Sequence, residues 1–178
     1  MSVAGAWVCL LAPLAGFLAI MLAGTRITRR QAGIVSTASV FVGFVGAVDA
    51  FFRTWSESPE DREHLSTAWT WLAAGEFRVN LEILVDPLSL VMMLVVTVVG
   101  LAIHVYSLGY MRGDPSMGRF YGKLSLFVFS MLGIVVSPNF VQTFVFWELV
   151  GVSSYLLIGY YWTKDSAGEA AKKAFMTN

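Results

Sequence analysis

Five apolar runs, each long enough to cross a bilayer, dominate this sequence. They lie at about residues 3–24, 31–52, 87–111, 120–137 and 144–162. About twenty apolar residues in a helix span the roughly 30 Å hydrocarbon core of a membrane. Inside lipid a helix satisfies its own backbone N–H and C=O groups, which an irregular segment cannot do. The expected fold class is therefore an all-α membrane protein. The composition agrees, because a soluble domain of 178 residues could not hide the apolar surface of a chain that is 57% hydrophobic and 13% charged. The first run lacks the Lys or Arg that precedes a secretory signal core, so it reads as a retained helix.

The segments between the runs divide the chain further. TRITRR (residues 25–30) is a basic stop after the first run, and the second ends near Phe52 with Asp49 close to its far end. SESPEDREH (residues 56–64) is a polar, acidic surface loop. Trp69, Trp71, Phe77, Val79, Leu81 and Ile83 then alternate around Gly75-Glu76. That period predicts a β-hairpin at the membrane surface, with an amphipathic interfacial helix as the alternative. Asp86-Pro87 supplies an N-cap and a first-turn proline for the third run. After Trp162, a polar loop leads to AAKKAF, the start of a sixth helix, and the chain reads as incomplete there. The expected divisions are residues 1–52 with two spans, 53–85 with the hairpin, 86–162 with three spans, and 163–178 with a loop and the sixth helix.

Basic residues orient the bundle. Arg26, Arg29, Arg30, Arg112, Arg119, Lys123, Lys164, Lys172 and Lys173 all fall on one side if the five runs alternate in direction. Arg53, Arg62 and Arg78 fall on the other, among Glu57, Glu60, Asp61, Glu63, Glu76 and Glu82. The positive-inside rule then puts the amino terminus and the hairpin outward. The formal net charge of +0 carries no sign of a nucleic-acid partner, no basic stripe with interleaved aromatics suggests one, and none is expected. Cys9, alone in an apolar run, reads as a small lipid-facing or packing residue.

Glu148 stands out chemically. It sits in FVFWELVGVSSYLLIGYYW (residues 144–162), about 12 Å along a helix that starts near Phe140. A charge near mid-membrane costs at least ~2.5 kcal/mol, so such a residue faces a partner or a wet cavity. Gly151, Tyr155 and Gly159 share its face, and small residues there admit a neighbouring helix. The pattern fits either a proton- or cation-handling carboxylate on a packed interior face or a Glu that only fixes helix packing. His104 in the third run is a second candidate, as a relay or as a hydrogen-bonded structural His beside Tyr106 and Tyr110. Of Lys172 and Lys173, one reads as an anchor and the other, here Lys173, as a third candidate. Lys123 reads as a snorkelling side chain, and Asp49 and Asp86 as boundary caps. No GxGxxG, P-loop, CxxC or His/Cys metal spacing occurs, so no redox cofactor or metal is expected on this chain.

Five motifs occur in order: DPLSL (86–90), HVYSLGYM (104–111), RFYGKLSLFVFSMLGIV (119–135), FWELVGVSSYLLIGYYW (146–162) and AAKKAF (170–175). Together they resemble the amino-terminal part of subunit L (chain 5) of proton-pumping NADH:quinone oxidoreductase, respiratory complex I. The resemblance implies an antiporter-like helix bundle built of inverted repeats, of which this sequence holds about the first third. It implies that Glu148 pairs with a lysine of a later helix that lies beyond Asn178. It also implies FMN, iron–sulfur clusters and quinone on partner subunits, protons as the transported ion, and a multi-pass location, expected to be the bacterial inner membrane. The large subunit of a multi-subunit Na⁺/H⁺ antiporter, a membrane subunit of an energy-converting hydrogenase and a purely structural scaffold are the other readings.

Overall fold

The computed structural model describes residues 3–75 and 77–178. Glu76 and the side chain of Phe77, both assigned to the hairpin above, lie outside the described residues. The chain forms α1 (Ala4–Ala23), α2 (Arg29–Trp55), β1 (His64–Ala74), β2 (Phe77–Val85), α3 (Pro87–Tyr110), α4 (Met117–Val135), α5 (Phe140–Ile158) and α6 (Asp165–Thr177). The first five helices are long and apolar enough to cross a membrane.

Side chains near the helix ends explain several boundaries. Thr28 caps α2 in a reciprocal box with Gln31, and Asp86 caps α3 in one with Ser89. Asp49, expected as a boundary cap, instead pairs with Arg53 one turn on at 2.8 Å. That pair lies within the last turns of α2, so the helix runs to Trp55 rather than stopping at Phe52. α5 starts at Phe140, where the sequence placed its start, and the Asn139 side chain caps it by accepting the Gln142 N–H at 2.9 Å. It ends at Ile158 with Gly159 as cap, so the last aromatics of the run lie in a turn.

α1, α2 and α4 pack on one another. α3 joins them through α2 and α4, α5 lies on α4, and α6 lies on α5. Lipid removes the hydrophobic drive between helices, so close approach at small residues must supply the packing energy. At the α1–α2 crossing a Cβ added to Gly46 would sit 2.6 Å from the Gly5 carbonyl and 2.9 Å from the Cys9 nitrogen. One turn along, a Cβ on Gly43 would sit 3.1 Å from the Cys9 carbonyl, whose helical donor is missing because residue 13 is proline. Cys9 is buried in this seam, as a packing residue rather than a lipid-facing one. Between α2 and α4, the Ser36 and Ser125 hydroxyls meet at 2.6 Å, and Ser36 also donates to the Tyr121 carbonyl at 3.1 Å.

The hairpin is antiparallel, with register shifts between Thr67 and Trp69 and between Thr70 and Leu72. Val79, Ile83 and Val85 are buried while Trp69 and Trp71 are exposed. A two-stranded hairpin alone is marginal. This one gains a third partner at its β2 edge. Leu84 N–H donates to the Val136 carbonyl at 2.9 Å. The Gln142 side chain accepts from Glu82 N–H at 3.1 Å and returns a bond to the Glu82 carbonyl at 2.8 Å. Asn139 Nδ2 donates to the Asn80 carbonyl at 3.1 Å. On β1, Ser66 Oγ accepts the Trp7 indole N–H at 3.1 Å.

Two outcomes follow. Gly46→Ala should destabilise the bundle by about 1–3 kcal/mol through overpacking against backbone that has no rotamer to yield. Thermal unfolding in a fixed detergent reads the loss, and an unchanged midpoint would contradict the seam. Gln142→Leu removes both bonds to Glu82, at about 1–3 kcal/mol for the stranded backbone groups. Hydrogen exchange at the Glu82 and Leu84 amides should then quicken, while α1–α4 amides stay protected.

Candidate functional site

Three side chains hold α5 against α4. Phe146 fills the space above Gly133 and meets Phe129 edge-on at 5.5 Å between centroids. Lys123, from α4, donates to the Leu156 carbonyl at 2.9 Å and lies 5.6 Å from the Tyr160 ring centre. An ammonium at that point satisfies one of the unpaired carbonyls at the α5 C-terminus and complements its dipole. Lys123 is therefore half-buried between helices, and the snorkelling reading is corrected. In the α3–α4 loop, Asp114 Oδ1 accepts the Tyr160 hydroxyl at 2.6 Å and the Ser116 N–H at 2.7 Å. Burial first, and then this bond to Asp114, pushes the Tyr160 phenol above its usual range. A lone Lys inside an apolar run and an Asp in a Gly-Asp-Pro loop were the sequence signals for these two anchors.

The small-residue stripe of α5 receives α6. A Cβ on Gly159 would lie 3.2 Å from the Ala171 methyl, and Tyr155 meets Phe175 at 5.9 Å between ring centres. Asn178 closes on Gly151, donating from Nδ2 to the Trp147 carbonyl at 3.3 Å and accepting Trp147 Nε1–H at 3.4 Å.

Glu148 lies one turn from Gly151 on α5. It is exposed, and among the described residues no Lys or Arg stands within ion-pair distance of it. Of the face expected to be packed, the Gly151–Gly159 stripe is covered by α6, and the Glu148 carboxylate is exposed among the described residues. Lys173 and Lys172 are both exposed on α6.

His104 is fully buried between α3 and α4. Its Nδ1 lies 2.7 Å from the Gly100 carbonyl, and its own carbonyl accepts the Tyr121 hydroxyl at 3.2 Å. Nε2 is buried with no partner among the described residues. Tyr106 and Tyr110 stack at 5.8 Å on the exposed side, so His104 does not belong to their aromatic surface. No hydrogen bond or ion pair links Glu148, His104 and Lys173. Among the described residues no group of three His, Cys, Asp or Glu could hold a metal.

Comparisons with known proteins agree with this architecture. Residues 71–121 match the family described as NADH-ubiquinone oxidoreductase (complex I), chain 5 N-terminus. Residues 137–178 match NADH:quinone oxidoreductase/Mrp antiporter, TM. The chain is 42% identical over 173 residues to NADH-quinone oxidoreductase subunit L of Mycobacterium tuberculosis, covering 97% of this chain and 27% of that protein. It is 40% identical over 176 residues to NAD(P)H-quinone oxidoreductase chain 5 of a Picosynechococcus, covering 97% and 26%. The chain thus spans about a quarter of the length of these curated relatives. A subunit of an archaeal respiratory membrane complex, the membrane-bound sulfane sulfur reductase, shares the fold with a TM-score of 0.78 at 16% identity, over 96% of this chain and 33% of that one. The apolar spans, the hairpin before α3 and the matched segments make this an integral membrane protein, and the chain belongs to the complex I chain 5 (subunit L) family, of which it carries the amino-terminal part.

Proposed function

We propose that this chain is the front portion of a proton-translocating, antiporter-like membrane-arm subunit of NADH:quinone oxidoreductase. It would couple NADH oxidation and quinone reduction, carried out on other subunits, to proton transport. The observation that carries the reading is Glu148, an exposed carboxylate at mid-span on α5 with no Lys or Arg in ion-pair distance among the described residues, next to the seam where α6 docks. A carboxylate in a low-dielectric site is stable only with a counter-charge, a proton or water. When a cation approaches, the ionised form is favoured, and when it withdraws, the carboxylate takes up a proton. Movement of a lysine on a later helix against Glu148 therefore suffices to load and unload a proton, with no redox chemistry on this chain. FMN, iron–sulfur clusters and quinone belong, in this reading, to partner subunits.

The basic ends of α2 and α6 and of the α3–α4 loop support an orientation with the amino terminus and hairpin outward. The bacterial inner membrane is the location this reading favours. The Na⁺/H⁺ antiporter alternative shares the transmembrane family match, but the relatives at about 40% identity carry quinone oxidoreductase names.

Glu148→Gln tests the proposal in the assembled complex in liposomes. Proton uptake per NADH oxidised should fall by at least about tenfold, since a positioned proton-transfer group contributes roughly a hundredfold or more. Glu148→Asp should restore part of it. Unchanged pumping with Glu148→Gln would sink the assignment, and lost assembly with normal residual pumping would favour a scaffold.

A further inference from the structure

At the basic end of the bundle, α2 and α3 diverge and leave an open groove of about 580 Å³. Arg29 and Arg30 line it from the start of α2, and Arg112 from just past the end of α3. Its wall is apolar, formed by Ile34, Leu108 and Met117. None of the three guanidinium groups pairs with an acid among the described residues. Asp114, the acid of the neighbouring loop, is held instead by Tyr160 and Ser116. Three like charges around one cavity repel one another, so the site is built for a polyvalent or diffuse anion.

The same seam continues toward the middle of the bundle. A second groove of about 570 Å³ lies between Phe44 of α2 and Val98, Leu101, Ala102, Val105 and Tyr106 of α3. Arg30, Ile34, Phe41 and Phe44 fall on one stripe of α2, and Ile34 and Phe41 are each about half exposed, at 51%. From Ile34 to Phe44 the helix rises about 15 Å, which is half of the roughly 30 Å hydrocarbon core. Cationic head site and apolar trough are thus collinear, and the trough has the depth of one leaflet.

We infer that the α2–α3 seam is a resident site for an anionic phospholipid. Its phosphodiester lies among Arg29, Arg30 and Arg112, and one acyl chain runs along Ile34, Val105 and Phe44. Guanidinium groups bind phosphate oxygens through paired N–H donors, and a basic pocket between spanning helices at the membrane boundary suits an anionic headgroup. A free phosphate would use only the arginines and leave the trough idle. Bound lipid would offset the repulsion among the arginines and tie α2 to α3 where their contact opens.

The test uses the assembled complex purified through this chain, washed extensively in detergent, with native mass spectrometry counting retained lipid. Phosphatidylglycerol should stay bound and be displaced neither by phosphatidylcholine nor by millimolar inorganic phosphate. Arg29→Gln/Arg30→Gln/Arg112→Gln should lower its retention about tenfold or more. Arg78→Gln, on the hairpin, should not change it. Val105→Trp fills the trough without altering any charge and should also lower retention. The inference is overturned if phosphatidylcholine is retained equally, if inorganic phosphate displaces the lipid, or if a cross-linked polypeptide occupies the groove. It is equally overturned if the triple variant and Val105→Trp both retain lipid as the unaltered chain does.

Discussion

The contact on which the bundle depends is the backbone-to-backbone crossing of α1 and α2. Lipid tails solvate Leu and Val as well as a protein interior does, so apolar side chains alone give helices no reason to meet. Gly5, Gly43 and Gly46 let two helix backbones come within van der Waals reach, and the Cys9 carbonyl freed by Pro13 faces that contact. α2 then carries α3 on its other side and meets α4 through the Ser36–Ser125 bond. α5 joins this frame through α4, through the β2 edge and through the Tyr160–Asp114 bond.

The helix that carries Glu148, α5, is attached at several points along its length. Phe146 over Gly133 and Lys123 on the Leu156 carbonyl fix α5 at two heights on α4. α6 covers the Gly151–Gly159 stripe, with Ala171 against Gly159 and Asn178 against Gly151. At the opposite end of α5, Gln142 and Asn139 pin β2, so the hairpin and the carboxylate-bearing helix are parts of one rigid connection.

His104 and the arginine groove are different kinds of polar feature. His104 is enclosed, bonded to its own helix through Gly100, and holds α3 to Tyr121 of α4. The arginines are open, without an acid partner among the described residues, and set beside an apolar trough. In one case the fold absorbs the polar group into helix packing. In the other it leaves charge to be balanced from outside the chain.

The amino-acid sequence by itself determined the class, the five spans, the two-residue alternation that favours a hairpin and the Asp86 cap, and it singled out Glu148 as the carboxylate to test. These follow from local rules: run length against bilayer thickness, a two-residue period, and the cost of a charge in hydrocarbon. Tertiary structure alone decided that Lys123 caps α5, that Asp114 holds Tyr160 and that Gln142 completes the sheet edge. Each of these joins residues from different elements, or depends on which face of a helix a neighbour covers. In an apolar run every face looks alike, because lipid-facing and protein-facing positions share one composition. Only the positions of glycines and the few polar side chains break that symmetry, and which helix they meet is settled by packing in three dimensions.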